Sequence, residues 1–372
     1  MKDLFLDKIS GLPGRVEADG EAIKKLCRLP VVLYGDGWYA PYVREYLARF
    51  GAKVAGCFAD DGFTASPGTV SLAEIGRRFA EFNVVIAFAD FRLARKKLEA
   101  KACGQIAGIY FFDAMAAMPG NTLDREFARR HREQFGAVYG LLADDLSRET
   151  YAAFLGAKLG GDPERLYEVW RKDQYFPEGL IRLSEREVFV DGGAYTGDTL
   201  LAFLRKTKNK YARCCAFEPE PENAAKLAAL AGRQRFRDVS IINKALWSGA
   251  ETLRFSGAAG ATASALSAAG AAAVETDTID RAAPDATYIK LDVEGAELEA
   301  LRGAAGTIRR NRPKLAVCLY HKPEDLFEIP LYIQSLAPDY RFFLRQHQPV
   351  SCELVLYGVT GDTILNSFKK RD

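Results

Sequence analysis

The chain has 372 residues, of which 48% are hydrophobic, so it can bury two ordinary hydrophobic cores or one large one. Its 51 lysines and arginines stand against 49 aspartates and glutamates, which leaves a formal charge of +2 at pH 7. The sequence has no long basic run with interleaved aromatic residues, the pattern that is typical of proteins that bind the phosphate backbone of a nucleic acid. We therefore expect two domains and no nucleic-acid partner.

The cysteines and the N-terminal segment predict a reduced, cytoplasmic protein. The seven cysteines are odd in number, several lie in apolar runs, and none forms a CxxC pair that would suggest zinc. The start, Met1-Lys2-Asp3, lacks the basic and then apolar pattern of a secretion signal, and no apolar run approaches the length that spans a bilayer. We therefore predict reduced core cysteines and no membrane partner.

The first part of the chain, residues 1–118, is predicted to form a small Rossmann-like α/β domain, because apolar strand patterns alternate with helical patterns. Its predicted strands and helices are, in order, Val31 to Gly35, Ala40 to Phe50, Val54 to Phe58, Leu72 to Phe82, Val84 to Phe88, Arg92 to Ala102 and Ile109 to Phe112.

Residues 119–186 have a different pattern, with charged helical segments between apolar positions. We interpret them as a helical connector whose core contacts are Leu123, Phe127, Phe135, Val138 and Leu142.

A second α/β series occupies residues 187–372, and its strands are short, apolar and bounded by turn residues. They are predicted at Val188 to Asp191, Arg213 to Phe217, Val239 to Ala245, Tyr288 to Asp292, Lys314 to Tyr320, Arg341 to Arg345 and Glu353 to Gly358. The connection between the last two contains Pro349 and is too short for a parallel crossover. Seven strands with an antiparallel last strand make up the sheet of class I methyltransferases.

An insertion rich in Ala, Gly and Ser separates the third and fourth of these strands. Its ends, Thr252 to Phe255 and Ala273 to Thr276, are predicted to pair as a hairpin, and its middle is predicted to be mobile.

The first strand of this second series leads into Asp191-Gly192-Gly193-Ala194-Tyr195-Thr196-Gly197-Asp198-Thr199. A glycine-rich turn between a strand and a helix presents backbone N–H groups to a nucleotide-like ligand. The acid at the strand end would repel a pyrophosphate but could hold an ammonium or ribose group. We therefore predict S-adenosylmethionine as the cofactor, with Asp191, Gly192, Gly193 and Gly197 in its site. Thr196 and Thr199 could either cap the helix or bind the ligand.

Glu218 ends the second strand of the series and is followed by Pro219. It lies roughly two dozen residues beyond the glycine turn, near the spacing at which an acidic strand end reaches ribose hydroxyls. Since Pro219 and Pro221 would fix this turn, we assign Glu218 and Pro219 to the cofactor site. The alternative is an exposed carboxylate with no ligand.

The fourth strand ends in Asp292-Val293-Glu294-Gly295-Ala296-Glu297, with three carboxylates in six residues. Asp292 is predicted to lie where the acceptor meets the methyl group, and it is the first choice as a catalytic residue. Glu294 is assigned either to the active site or to the turn. Glu297 is placed on the first turn of the next helix, where its charge suits the helix dipole.

Two of the three histidines, His321 and His347, follow apolar strands. Parallel strands would bring both to the edge that carries Asp292, and histidine is well suited to take a hydroxyl proton near neutral pH. His321 is therefore predicted as a catalytic residue together with Asp292 and Glu294. A metal site formed by Asp292, His321 and His347 is an alternative by residue type, but we predict no metal. His131 is predicted to lie on the surface.

The first domain has its own glycine turn, Gly35-Asp36-Gly37-Trp38-Tyr39-Ala40, followed by Asp60 at a plausible ribose distance. Asp36 and Trp38 bring charge and bulk to the place where a pyrophosphate would approach. One interpretation is a dinucleotide site, and hence a reductase fused to the second domain. The other is a turn that serves packing, oligomerisation or acceptor recognition.

The second domain resembles the FkbM family of S-adenosylmethionine-dependent methyltransferases. The resemblance covers about residues 174–358 and rests on three motifs, of which the last is the most specific: Glu187 to Gly193, Phe217-Glu218-Pro219 and Ile289 to Glu297. It implies a class I methyltransferase fold and, in most members, O-methylation of a hydroxyl on a sugar or polyketide-like product. It also implies that Asp191, Gly193, Gly197 and Glu218 bind the cofactor. The first domain is similar to the Rossmann-like domain of some bacterial members, which implies a polysaccharide setting.

We therefore expect an O-methyltransferase that acts on a small-molecule or glycan acceptor and forms a homodimer. The alternative is a protein that keeps the fold and senses the cofactor, or acts as a scaffold, without catalysis. Tyr175 and Phe176, just before the second domain, either cover the cofactor pocket or pack under the sheet.

Overall fold

The computed structural model describes residues 15–60, 66–117, 120–234, 236–256, 265–267 and 272–361. They form two compact units. The first contains the described residues up to Arg132, together with Glu149–Trp170 and Gln348–Cys352. The second contains Glu133–Arg148, Arg171–His347 and the described residues from Glu353. The domain boundaries drawn from the sequence stay predictions.

The first unit contains a five-stranded parallel sheet with strand order β3-β2-β1-β4-β5. Its elements are α1 (Arg15–Leu26), β1 (Val31–Tyr34), α2 (Ala40–Arg49), β2 (Val54–Phe58), β3 (Thr69–Val70), α3 (Leu72–Arg78), β4 (Phe82–Ile86), α4 (Phe91–Ala100), β5 (Ile106–Tyr110) and a 3₁₀ turn (Ala114–Ala117). All residues of β1 and β4 are buried, as expected for the central strands of a parallel sheet. The predicted α/β alternation is present, with β3 as an additional strand.

Two predicted boundaries in this unit are wrong for one reason. The sequence places Phe79 and Phe82 in one helix, but the helix ends at Arg78 and Phe82 begins β4. Both rings are apolar and fit either pattern. Packing in the core favours the strand for Phe82, because this residue is fully buried with Val84 and Ile86 in the cluster under the sheet.

The segment predicted as a connector is helical. It contains α5 (Arg125–Arg130), α6 (Arg132–Leu141), α7 (Asp145–Gly160) and α8 (Glu164–Val169), which are divided between the two units. Four of its five predicted core residues, Leu123, Phe135, Val138 and Leu142, are buried, whereas Phe127 is only partly buried.

The second unit contains a seven-stranded sheet with strand order β15-β16-β14-β13-β6-β7-β8. Its strands are β6 (Val188–Gly192), β7 (Arg213–Phe217), β8 (Val239–Ile242), β13 (Tyr288–Leu291), β14 (Lys314–Cys318), β15 (Arg341–Gln346) and β16 (Leu354–Val359). Its helices are α9 (Asp198–Thr207), α10 (Pro221–Gln234), α11 (Ile279–Ala282), α12 (Glu297–Arg302), α13 (Ala305–Asn311) and α14 (Asp325–Leu336).

The strand directions confirm the predicted fold class. Strands β8, β7, β6, β13 and β14 are parallel, and β16 runs antiparallel to both β14 and β15. The sheet is thus the class I methyltransferase sheet with its antiparallel last strand. Because the strands are parallel, the carboxyl ends of β6, β7, β13 and β14 lie at one edge, where ligands of open α/β sheets bind.

A smaller sheet has strand order β11-β10-β12-β9 and is built from β9 (Ala245–Leu246), β10 (Thr252–Ser256), β11 (Ala265–Ser267) and β12 (Ala272–Asp277). The pairing of Thr252 with Glu275 and of Leu253 with Val274 is the predicted hairpin. The middle of the insertion, which was predicted to be mobile, lies largely outside the described residues. Ala245, predicted at the end of the strand Val239 to Ala245, belongs to β9 of this smaller sheet instead.

No cysteine is in a disulfide, and Cys57, Cys214, Cys215, Cys318 and Cys352 are buried. Cys27 is exposed, so the prediction of a core position is wrong for that residue. Among the described residues, no helix is both long enough and apolar enough to cross a membrane.

Candidate active site

The glycine turn after β6 requires glycine because it lies against the end of β13. Gly193 has a φ of +74°, and a Cβ atom there would lie 1.8 Å from the carbonyl oxygen of Asp292. Both Gly193 and Ala194 also donate backbone hydrogen bonds to the carbonyl of Phe217 at the end of β7, at 3.0 and 2.9 Å. The turn is therefore held directly against the ends of both neighbouring strands.

The turn ends at Gly197, which has a φ of +97° and precedes the first residue of α9. A Cβ atom there would lie 2.7 Å from Leu227 and Leu230 of α10. Thr199 is buried in the first turn of α9, and Thr196 is partly buried. Neither is the N-cap residue, which is Gly197, so the capping role considered for the two threonines is not seen.

Asp191 at the end of β6 forms a buried ion pair that the sequence analysis did not predict. Its partner Lys290 stands beside it in the parallel register of β6 and β13, with Nζ 3.0 Å from Oδ1. The same Nζ donates to the carbonyls of Gly192 and Gly193 at 3.1 and 2.8 Å. Burial raises the pKa of Asp191 although Lys290 opposes the shift. The pair thus ties the start of the glycine turn to the neighbouring strand.

Glu218 joins the glycine turn to the end of β7. Its carboxylate accepts the backbone N–H of Tyr195 at 2.8 Å and that of Glu220 at 3.0 Å. The side chain is buried, and burial raises its pKa. The next residue, Pro219, is partly buried, and its carbonyl accepts from Asn243 at 3.0 Å. The carboxylate therefore lies beside the turn, and its contact with a ribose stays a prediction.

Asp292 follows β13 and accepts two tyrosine hydroxyls, from Tyr175 at 2.9 Å and Tyr320 at 3.1 Å. Its side chain is 22% exposed, which makes it accessible to an acceptor. Burial opposes ionisation of Asp292, but Lys290, His321 and the Tyr175 hydroxyl together lower its pKa.

His321 follows β14 and lies among three carboxylates. Its Nδ1 is 2.9 Å from Glu297, and its Nε2 is 3.5 Å from Asp292 and 3.6 Å from Glu294. Burial would lower the pKa of His321, but Glu297, Asp292 and Glu294 raise it to about 10. Burial raises the pKa of Glu294 to about 7. The structure thus brings together the three residues predicted as catalytic, Asp292, Glu294 and His321.

Two further acids lie close to this group. Glu353 accepts a hydrogen bond from Gln174 and one from Tyr320 at 3.4 Å. Burial, followed by the charge of Asp292, raises the pKa of Glu353 to about 7. Asp325, at the start of α14, is buried, and its pKa is raised by burial and then by the charge of Glu297.

His347 does not belong to this cluster. Its Nδ1 donates to the carbonyl of Arg171 at 2.8 Å, and its Nε2 is 2.8 Å from the hydroxyl of Tyr357. His347 follows β15 and His321 follows β14, and β16 lies between these two strands. The two histidines therefore lie apart although their strands end at the same edge of the sheet. The alternative metal site of Asp292, His321 and His347 is therefore wrong, because His347 lies apart from the other two residues.

Tyr175 and Phe176 differ in position. Tyr175 has a φ of +61° and reaches Asp292. The ring of Phe176 packs against Phe189, Phe203 and Tyr288 in the core. Phe176 therefore packs under the sheet, which is one of the two predicted roles. Tyr175 instead contacts Asp292 at the candidate active site.

The glycine turn of the first unit has a different setting. Gly35 has a φ of +109°, and a Cβ atom there would lie 2.6 Å from the ring of Phe88. Asp36 accepts the backbone N–H of Ser66 at 3.0 Å and the hydroxyl of Thr69 at 2.7 Å. Asp60 accepts the hydroxyl of Tyr34 and pairs with Lys101 at 3.1 Å. Both acids of the possible dinucleotide site are thus engaged in local contacts.

Sequence reasoning missed Lys290, Tyr320 and Glu297 as members of the site. A lysine inside the apolar strand Tyr288–Leu291 was a readable signal, because buried lysines require a partner. Glu297 is on the first turn of a helix, as predicted, but it is fully buried and accepts the backbone N–H of Val293 at 2.9 Å. No sequence pattern indicated that burial.

The fold is that of the class I methyltransferases. The family model of the Methyltransferase FkbM domain matches residues 191–348, which begin at the strand-end Asp191 and include Glu218, Asp292 and His321. The second α/β series is therefore similar to the FkbM methyltransferase domain over these residues.

Among solved structures, methyltransferase FkbM from Methylobacillus flagellatus KT covers 96% of this chain and 98% of its own, with 23% identity and a TM-score of 0.70. An rRNA methylase from Streptococcus thermophilus covers 53% of this chain and 93% of its own, with 13% identity and a TM-score of 0.32. A SAM dependent methyltransferase from Aquifex aeolicus covers 53% and 97%, with 12% identity and a TM-score of 0.28. No curated protein matches the chain.

Proposed function

We propose that the chain transfers a methyl group from S-adenosylmethionine to a hydroxyl of a sugar or related natural product. The observation that carries the proposal is the meeting of three strand ends at one sheet edge. There the glycine turn, Glu218 and Asp292 contact one another through Gly193 and Tyr195. A class I sheet binds its ligand at this edge.

On the donor side, the turn supplies a backbone surface without side chains at Gly193, and Glu218 supplies a carboxylate beside it. A carboxylate at the end of the second strand suits the two hydroxyls of a ribose, which are hydrogen-bond donors. Asp191 contributes through Lys290, since its own side chain is fully buried. When bound, the sulfonium cofactor supplies the methyl group.

On the acceptor side, Asp292 is the partly exposed carboxylate at the edge, oriented by Tyr175 and Tyr320. Methyl transfer is an in-line displacement, so positioning the acceptor oxygen supplies most of the catalysis. A carboxylate within hydrogen-bond distance can also accept the hydroxyl proton as the new bond forms. His321 and Glu294 then have a positioning role, because they contact Asp292 and its neighbours.

Isothermal titration calorimetry with S-adenosylmethionine tests the donor side. Glu218→Ala should weaken binding by about tenfold to a hundredfold, the loss expected for hydrogen bonds to a charged group. Glu222→Ala is the matched control, because it removes a carboxylate from the nearby helix α10. Equal affinity in the Glu218 variant and the wild type would remove Glu218 from the site.

Formation of S-adenosylhomocysteine with a fractionated extract of bacterial surface glycans tests the acceptor side. Asp292→Asn should lower turnover about a hundredfold and leave the affinity for the donor within about threefold. Full turnover in this variant would contradict the role of Asp292. Donor binding with no turnover on any fraction would instead favour a cofactor-sensing protein.

A further inference from the structure

The cluster around His321 gathers more carboxyl groups than cationic side chains. Five carboxylates act on it or on each other: Asp292, Glu294, Glu297, Asp325 and Glu353. Lys290 is already paired with Asp191, and the exposed Lys322 donates to the carbonyl of Gly295. Burying several like charges is costly unless a cation compensates them.

Two buried atoms of the cluster make no hydrogen bond within the described part of the chain. Nε2 of His321 has only the carboxylates at 3.5 and 3.6 Å as neighbours of opposite charge, and its side chain is 7% exposed. Oε2 of Glu297 has no partner either, and its side chain is fully buried. Buried polar atoms are nearly always paired, so the free Oε2 of Glu297 points to a missing ligand. Nε2 of His321 lies across the ring from the nitrogen that contacts Glu297, and it faces Asp292 and Glu294 instead.

The geometry fits a metal ion. One ligand atom from each of Asp292, Glu297 and His321 lies within 4.8 Å of the other two. Bonds of about 2.0–2.2 Å to a common ion would hold three such atoms roughly 3–3.5 Å apart, so the side chains would move closer together when the ion binds. We propose that Asp292, Glu297 and His321 bind one divalent transition-metal cation of the Mn²⁺ or Zn²⁺ type.

The ligand types select this class of ion. One imidazole nitrogen with carboxylate oxygens suits first-row divalent metals, whereas Mg²⁺ and Ca²⁺ favour all-oxygen sites. Three protein ligands leave positions for water or substrate. The site also has an entry path, because the side chains of Asp292 and Glu294 are 22% and 50% exposed.

The inference goes beyond the proposed methyl transfer and does not depend on it. An ion beside Asp292 would bind an acceptor hydroxyl and promote its ionisation. A metal titration without methyl donor tests the site alone, and donor calorimetry on metal-free protein tests the methyltransferase proposal alone.

The experiment uses the full chain after treatment with a chelator. MnCl₂ binding is followed by electron paramagnetic resonance and ZnCl₂ binding by calorimetry, with MgCl₂ as the hard-ion comparison. We expect about one Mn²⁺ or Zn²⁺ per chain and much weaker Mg²⁺ binding. Glu297→Gln, which keeps the volume and removes a ligand charge, should weaken Mn²⁺ binding at least about a hundredfold. Glu299→Gln on the same helix is the matched control and should bind as the wild type does.

Circular dichroism establishes that each variant is folded, and Asp292→Asn replaces Glu297→Gln should the latter not fold. A metal-dependent rise in melting temperature in the wild type and its absence in the ligand variant would support the site. Equal binding by the wild type and the folded ligand variant would overturn the proposal, as would no saturable Mn²⁺ or Zn²⁺ binding up to about 1 mM, an affinity of about −4 kcal/mol.

Discussion

The two glycine turns of this chain have the same local form and different surroundings. Each follows the first strand of the main sheet in its unit and has a glycine with positive φ, Gly35 or Gly193. At Gly35 the space of a side chain is filled by the ring of Phe88, and at Gly193 by the backbone carbonyl of Asp292. The first turn is therefore closed by packing and the second by the adjacent strand end.

The acids around the turns differ in the same way. Asp36 and Asp60 are tied to Ser66, Thr69, Tyr34 and Lys101 within the first unit. At the second turn, acids from the ends of three strands, Asp191, Glu218 and Asp292, converge on one edge. A glycine turn alone does not specify a ligand site, since the chemistry comes from the residues that the neighbouring strands deliver beside it.

The largest effect is expected from removing the lysine that pairs with an acid near each turn, Asp191 or Asp60. Lys290→Met leaves Asp191 as a buried charge without its partner, so the free energy of unfolding should fall by about 3–5 kcal/mol. Lys101→Met breaks the pair with Asp60, whose side chains are 36% and 31% exposed, and should cost less than about 1 kcal/mol. Urea denaturation measures the free energy of unfolding of both variants. Equal losses of stability would contradict the proposed difference between the two ion pairs.

Alanine substitutions of the glycines give the next largest effect. Gly193→Ala introduces a backbone clash and strain at positive φ, and it should lower stability by roughly 3 kcal/mol and abolish donor binding. Gly35→Ala should also destabilise, because its neighbour is an aromatic ring at 2.6 Å, but leave donor affinity unchanged. The control is Gly37→Ala, where nothing lies within 4 Å of the added atom. Donor binding retained in a folded Gly193→Ala protein would contradict the assignment of the second turn.

The two units should also respond to pH in different ranges. Burial lowers the pKa of His347 in the second unit to about 4, with Arg345 lowering it further and Arg171 and Asp173 opposing the shift. Between pH 6.5 and 4 the unfolded chain binds the proton more readily, so stability falls on acidification. The loss should reach roughly 2 kcal/mol at pH 4.5. His347→Gln should remove this slope in urea unfolding measured from pH 7 to 4.5.

In the first unit, burial lowers the pKa of Lys158 to about 7, and its Nζ donates to the carbonyl of Asn121 at 3.0 Å. The unfolded chain keeps this proton up to about pH 10.4, so stability should rise with pH between about 7 and 10. Lys158→Met should flatten that rise. The same slope in the variant and the wild type would show that Lys158 is charged in the folded protein.

The smallest effect is expected at the acceptor side of the second turn. Tyr175→Phe removes one hydroxyl from Asp292, so turnover should fall by about tenfold while donor affinity stays the same. Tyr34→Phe, which removes the hydroxyl from Asp60 of the first turn, is the matched control and should keep full turnover. A parallel loss of donor affinity in Tyr175→Phe would place Tyr175 on the donor instead.

Much of the fold was predictable because strand patterns and turn residues are local. The hairpin of β10 and β12, the antiparallel β16 and the gathering of Asp292, Glu294 and His321 all follow from sequence spacing and strand direction. The partners of the site were not predictable in this way. The pairing of Asp191 with Lys290 depends on the register between two strands about a hundred residues apart.

The burial of Glu297 and the isolation of His347 were likewise beyond the sequence. Glu297 is fully buried, and the backbone N–H of Val293 in the loop before its helix donates to it. His347 is separated from His321 by β16, a strand that comes later in the chain. Both outcomes depend on tertiary packing, which periodicity and propensity do not encode.

The contact between Gly193 and the carbonyl of Asp292 has a consequence for how such a domain can diverge. The segments that carry the two residues lie about a hundred positions apart in sequence, yet neither backbone can move without displacing the other. Mutations that reshape the acceptor edge must therefore preserve the path of the main chain at Asp292. The range of acceptors can then change through side chains at this edge, while the donor turn keeps its shape.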